Sequence, residues 1–247
     1  MNFFSLFKRK FIYKIKKKNN IDLEFINKDS LEYLFNHYGS DKAHILKNTN
    51  EKGHGFSEFY IKHLNSLKKK NIRILEIGSY AGSSAAAFAK YFENSKIYCL
   101  DINISKFNFY SKNINVYGLD INNKESLYKT LNKITLKIKL NFFDIIVDDG
   151  SHYLSDILNS LNDLFKFVKK GGFYIIEDFK FPNYYDYNKN IEHVLVDEVI
   201  KNLQEKKFFS SSIIKDKNQI YLHENIKRIT TYKGNLKNSD ICFIEKI

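Results

Sequence analysis

The period of the apolar positions changes along this chain, and each change marks an element. Ile72 to Ile77 is a nearly continuous apolar run, the pattern of a parallel strand buried on both faces. Ser83 to Tyr91 is rich in alanine and predicts a helix, and Ile97 to Leu100 predicts a second strand. Further on, the pattern predicts a short strand at Asn115 to Tyr117, an amphipathic helix from Lys124 to about Lys137, and a strong strand from Phe142 to Val147. Tyr153 to Val168 predicts a helix stopped by Lys169, Lys170, Gly171 and Gly172. Phe173 to Ile176 then reads as a strand and Ile191 to Lys206 as a helix, with Ile213, Ile214 and Ile241 to Ile244 on closing strands. Upstream, Ser30 to Tyr38 and Phe56 to Lys69 read as helices around a polar loop from Gly39 to Gly55. Strands and helices alternating from Ile72 onward predict a doubly wound α/β sheet with right-handed crossovers.

With 247 residues, 43% of them hydrophobic, the chain can build one α/β domain plus an extension, not two full domains. Its single proline, Pro182, and the lack of a Gly/Ser-rich linker give no sharp boundary. The expected organisation is a basic amphipathic tail over 1–20, a helical cover over 21–70 and the main domain over 71–247. Seven of the twelve net positive charges lie in that tail, on Lys8, Arg9, Lys10, Lys14, Lys16, Lys17 and Lys18, with no acid among them. Interleaved phenylalanines and isoleucines make it a candidate for an anionic membrane surface; a frayed, solvated tail is the favoured reading. Cys99 and Cys242 sit in apolar runs and are expected as buried, reduced thiols, which suits a cytoplasmic protein. No apolar stretch approaches the roughly 20 residues needed to span a bilayer, and no signal peptide is evident, so the chain is expected to be neither secreted nor integral.

Chemistry enters at the turn after the first long strand, Glu76-Ile77-Gly78-Ser79-Tyr80-Ala81-Gly82. Gly78 and Gly82 let the backbone turn tightly and pass close to a ligand. Asp101 arrives about 20 residues later, where an acid accepts hydrogen bonds from ribose hydroxyls. A dinucleotide fingerprint needs G-x-G-x-x-G, but Tyr80 stands where its second glycine would be, which disfavours a nicotinamide cofactor. The pattern resembles the first motif of class I methyltransferases, which bind S-adenosylmethionine.

A second constellation lies in Phe143 to His152, FDIIVDDGSH, and Ile175 to Phe179, IIEDF. Neighbouring strands about 4.8 Å apart would bring Asp148, Asp149, His152, Glu177 and Asp178 to one sheet edge, where such folds bind ligands. Carboxylates so close repel one another unless a cation neutralises some of them, and a hard divalent ion such as Mg2+ suits their oxygens. Singly, each acid could equally cap a helix or turn.

These motifs, with Tyr38-Gly39-Ser40-Asp41-Lys42 before the first long strand, resemble those of the metal-dependent sugar O-methyltransferases over roughly residues 36 to 180. The resemblance implies a Rossmann-like, seven-stranded class I methyltransferase sheet with an N-terminal helical extension. It implies that Glu76, Gly78, Gly82, Asp101, Asp120, Asp148, Ser40 and Lys42 serve the cofactor, that His152 is the general base assisted by Asp149, and that Asp149, Glu177 and Asp178 hold the metal. The chain departs from the family at His54-Gly55-Phe56, where a His-x-Tyr segment is usual. A sugar hydroxyl is a poor nucleophile, so a metal that lowers its pKa and a histidine that takes its proton are the expected tools. His37, His44, His54, His63, His193 and His223 are expected in surface or capping roles.

The acceptor implied is a glycan precursor or a glycoside. Alternatives are a phenolic or RNA acceptor, or an inactive membrane-associated protein of the same fold. No RNA-binding module is recognisable, so a nucleic-acid partner is disfavoured. The remaining expectations are a peripheral membrane contact through residues 1–20 and self-association as a homo-oligomer.

Overall fold

The computed structural model of the chain describes residues 3–26, 30–138 and 142–247. Met1 and Asn2 of the expected tail, and Asn27, Lys28 and Asp29 of the expected cover, lie outside the described residues. Among the described residues, seven strands make one mostly parallel sheet. Two compact units divide the chain, Met1–Asn141 with Gly234–Leu236 and Phe142–Lys233 with Lys237–Ile247.

The first unit begins with α1 (Phe3–Ile15), short strand β1 (Asn19–Asn20), α2 (Leu31–Tyr38) and α3 (Ser57–Leu64). It continues with β2 (Asn71–Ile77), α4 (Ser83–Tyr91), β3 (Asn94–Asp101), short strand β4 (Phe109–Tyr110), β5 (Ile114–Gly118) and α5 (Lys124–Ile138). Strands β2, β3 and β5 pair in parallel. Helix α2 starts at Ser30, whose side chain accepts from Tyr33 N, and stops at Gly39 in the left-handed conformation. Phe35, Tyr60 and Phe88 join α2, α3 and α4 through ring contacts of 5.3–6.0 Å, so the expected helical cover shares its core with α4. The tail is not frayed: α1 is a helix packed against residues 102–107.

The second unit holds β6 (Phe143–Asp148), α6 (Leu154–Leu164), β7 (Val168–Ile176), α7 (Phe181–Tyr184), α8 (Val196–Gln204), α9 (Asp216–Asn225), β8 (Ile226–Lys233) and β9 (Asp240–Lys246). β6 and β7 are parallel, and β9 runs antiparallel to both β7 and β8. Several expectations are corrected here. The Lys169–Gly172 segment is not a helix stop but the start of β7, where Gly171 at φ 71° accompanies a register shift against β6. A Cβ on Gly172 would stand 2.5 Å from the Asp144 carbonyl oxygen, so this bulge needs its glycines. The helix expected from Ile191 begins at Val196, where the buried stripe Val196, Val199, Ile200 and Leu203 starts. Ile213 and Ile214 lie in a loop, their amides donating to Ser211 Oγ, and the closing strand is β8. Both cysteines are buried and free, and burial raises both thiol pKa values. Among the described residues no helix is long and apolar enough to cross a membrane.

Candidate active site

In the first unit the candidate cofactor residues gather at the carboxyl ends of β2 and β3. Gly78 (φ 80°), Tyr80 (φ 41°) and Gly82 (φ 82°) all take left-handed backbone, and Gly82 opens α4. A side chain at Gly82 would run into the Phe107 ring, whose nearest atom lies 2.5 Å from the Cβ position. For Tyr80 this conformation is costly, and Asp101 holds it: Oδ2 accepts the Tyr80 amide at 2.8 Å and Oδ1 accepts the Asn103 amide at 2.5 Å. Asp101 thus fixes the turn. The Glu76 side chain is fully buried; its carboxylate accepts from Ser84 Oγ and from Cys99 Sγ, tying β2 to the start of α4 and to β3. Burial first, then the Glu76 charge, pushes the Cys99 thiol up.

Other candidate cofactor residues are placed elsewhere in this unit. Asp120 caps the turn after β5, accepting the Asn122 amide at 3.1 Å. Ser40 and Lys42 are buried in the loop after α2, which is stitched by backbone bonds from His54 to Asp41 and from Phe56 to Lys42.

The second unit carries the acid and histidine cluster. Register places Asp148 opposite Ile176, and the Glu177 amide donates to the Asp148 carbonyl at 3.0 Å, so Asp149, Glu177 and Asp178 follow two locked strand ends. The Asp148 side chain turns inward and accepts from Tyr174 Oη at 3.3 Å, with Ser160 Oγ 2.8 Å from that hydroxyl. Burial raises its carboxyl to about 6, against the pull of Ser160, His152 and Tyr174. Asp148 is therefore committed to the interior of this unit. Asp149 lies partly exposed, with Oδ1 3.6 Å from His152 Nε2, an ion-pair distance longer than a hydrogen bond.

His152 is itself strained, at φ 57°. Its ring stacks on Phe181 with centroids 5.4 Å apart and 29° between planes, and its carbonyl accepts from Asn188 Nδ2 at 3.1 Å. Asp178 is also left-handed (φ 49°) and, like Glu177, almost fully buried. Sequence reasoning missed Phe107, Phe181 and Asn188, since each reaches its partner across distant chain and carries no local motif. His223, expected at the surface or a cap, is instead buried against Phe208.

The carboxylates of this edge have the hard oxygen chemistry that a divalent ion prefers. Among the described residues, however, no three His, Cys, Asp or Glu side chains are grouped so as to hold a metal. Backbone placement brings the acids to one edge; their side-chain conformations do not close into a coordination shell.

The strand order, β5-β3-β2-β6-β7-β9-β8 with β9 reversed, together with the glycine turn, defines a class I methyltransferase fold. Residues 75–179 match the family described as Methyltransferase domain. It is 31% identical over 132 residues to mycinamicin VI 2''-O-methyltransferase of Micromonospora griseorubida, an alignment covering 51% of this chain and 31% of that protein. Demethylmacrocin O-methyltransferase of Streptomyces fradiae is likewise 31% identical over 132 residues, covering 51% of this chain and 32% of the relative. MycE methyltransferase from the mycinamycin biosynthetic pathway, solved in complex with Mg and SAH, matches with a TM-score of 0.66 at 25% identity, over 89% of this chain and 55% of that one. The chain spans about a third of the length of the curated relatives it matches.

Proposed function

We propose that the chain is an S-adenosylmethionine-dependent O-methyltransferase that methylates a sugar hydroxyl of a glycoside or glycan precursor in the cytoplasm. The observation that carries this reading is the pairing of His152 with Asp149, 3.6 Å apart, on a strained turn at the end of β6, within a chain similar to enzymes that methylate sugars.

Gly78 and Gly82 provide the close backbone approach for the donor, and Asp101 offers its free lone pairs to the ribose hydroxyls. With His152 Nε2 turned toward Asp149, the acceptor for the substrate proton is Nδ1, and the carboxylate stabilises the imidazolium that forms. Stacking on Phe181 and the Asn188 bond to the backbone hold that ring in one orientation. As the proton leaves, the hydroxyl oxygen attacks the methyl carbon, and the carbon–sulfur bond breaks with its electrons going to the sulfonium sulfur. A divalent ion such as Mg2+, if bound, would be held by Asp149, Glu177 and Asp178 and would supply positive charge that acidifies the hydroxyl.

The test is incubation of the purified chain with methyl-labelled donor and fractionated glycans, glycosides and RNA, with and without chelator. Label should enter carbohydrate, and only with divalent metal present. Label entering RNA overturns the acceptor class, and transfer indifferent to chelator overturns the metal assignment.

A further inference from the structure

Helix α1 is amphipathic in an unexpected sense, with part of its charge turned inward and Phe4, Phe7 and Phe11 outward. On its inner side Arg9 Nη1 donates to the Ile102 carbonyl at 3.0 Å, Lys16 Nζ to the Ser105 and Lys106 carbonyls at 3.2 and 3.1 Å, and Tyr13 meets Phe107 edge-on. These bonds fix the roll of the helix. The consequence on its outer side is that Phe4, Phe7, Phe11 and Ile15 are 73, 63, 56 and 68% exposed. Spacings of three and four residues put these four on one stripe. At about 100° per residue, Lys8 borders that stripe on one side and Lys10 and Lys14 on the other, all three exposed.

We propose that this face docks on an anionic lipid surface, the helix lying in the plane of the bilayer interface with its aromatic ridge among the acyl chains and its lysines at the headgroups. Charge selects this occupant. Residues 1–20 carry seven cationic side chains and no acid, so a second copy meeting the same face would set like charges against one another. A negatively charged leaflet complements the lysine borders, and a ridge of phenylalanine flanked by lysine is the pattern of interfacial helices. At 13 residues α1 is about 20 Å long, enough to lie on a membrane and too short to span one.

The experiment is co-sedimentation of the full chain with vesicles of phosphatidylcholine, plain or containing about 30 mol % phosphatidylglycerol. Binding to the anionic vesicles should exceed binding to the plain ones about tenfold or more, and should weaken sharply at about 0.5 M salt. The double substitution Phe7→Ser with Phe11→Ser should lower anionic-vesicle binding about tenfold or more by removing apolar burial. Lys8→Glu with Lys14→Glu should abolish it. These side chains are exposed, so circular dichroism and thermal melting should be unchanged in both variants, which separates lost docking from lost folding. Equal binding to both vesicle types, no binding to either, or indifference to the phenylalanine variant would overturn the proposal. So would a concentration-dependent dimer abolished by Phe7→Ser with Phe11→Ser, which would assign the face to a second copy.

Discussion

Gly82→Ala tests whether the turn after β2 requires glycine for two separable reasons. The first is backbone conformation: φ is 82°, and an L-residue with a Cβ there costs about 1–2 kcal/mol. The second is space: the new Cβ would stand 2.5, 2.6 and 2.7 Å from three atoms of the Phe107 ring. That ring is fully buried and cannot swing aside freely, and forcing a methyl into such packing costs about 1–3 kcal/mol. The sum is about 2–5 kcal/mol, and a central loss near 3 lowers the melting temperature by roughly 6–12 °C in a chain of this length. Gly171 is the internal control. It has φ 71° but nothing within 4 Å of its Cβ position, so Gly171→Ala should cost only the conformational part, about 1–2 kcal/mol or roughly 2–8 °C. The assay is thermal denaturation of both variants beside a third, Gly82→Ala with Phe107→Ala, which adds its own cavity cost but should show favourable coupling between the two sites. Equal losses for Gly82→Ala and Gly171→Ala would refute the claim that Phe107 closes down on the turn.

His152→Ala should lower kcat for methyl transfer about 100- to 10,000-fold while leaving the affinity for S-adenosylhomocysteine intact by calorimetry; loss of affinity alone would remove His152 as the base. Gln219 is fully buried and bonds the Phe209 amide and the Phe209 and Ile214 carbonyls at 2.8–3.0 Å. Gln219→Leu strands all three and should cost about 3–5 kcal/mol, read as a lower urea midpoint with an unchanged slope. The His223 pKa is lowered from its ordinary 6.5 by burial and then by the charge of Lys206. The unfolded chain therefore binds the proton more readily, and stability should be lost as pH falls below 6.5 toward the lower folded value. His223→Leu should remove that share of the slope in urea titrations across pH 5–7, and an unchanged slope would show that His223 contributes none of it.

The parts of the fold legible in the sequence are those where one local rule decides. Ile72 to Ile77 and Phe142 to Val147 read as strands, and both fall on strands of the sheet apart from Phe142, which precedes β6. Ser83 to Tyr91 matches α4 end to end because glycine opens it and alanine fills it. Legibility ends where tertiary bonds outweigh local preference. Helix α9, DKNQIYLHEN, has no apolar stripe and buries only Gln219, Leu222 and His223. It is fixed by the bonds of Gln219 to a loop ten residues away, which periodicity cannot register. The pair Lys169-Lys170 before two glycines reads as a helix stop, yet the chain uses the glycines to bulge β7 past the Asp144 carbonyl. For α1, composition revealed an amphipathic segment; that Arg9 and Lys16 find carbonyls at residues 102–106 decides which face it shows.

At the candidate site the motifs were legible but the directions of side chains were not. Asp148 and Asp149 are consecutive at a strand end, where a period of two sends neighbours to opposite faces. One carboxylate therefore bonds Tyr174 in the interior, while the other stands at ion-pair distance from the His152 ring. What no pattern discloses is strain. Five non-glycine residues among those described have positive φ, and three of them, Tyr80, His152 and Asp178, lie within four residues of the ends of β2, β6 and β7. Left-handed backbone at such residues costs about 1–3 kcal/mol each and persists only where surrounding bonds enforce it. Asp101 enforces it at Tyr80, and Asn188 with Phe181 at His152. The fold thus spends stability at the strand ends that carry the glycine turn and the acid and histidine cluster, a cost that a scaffold without a ligand to position would have no reason to keep.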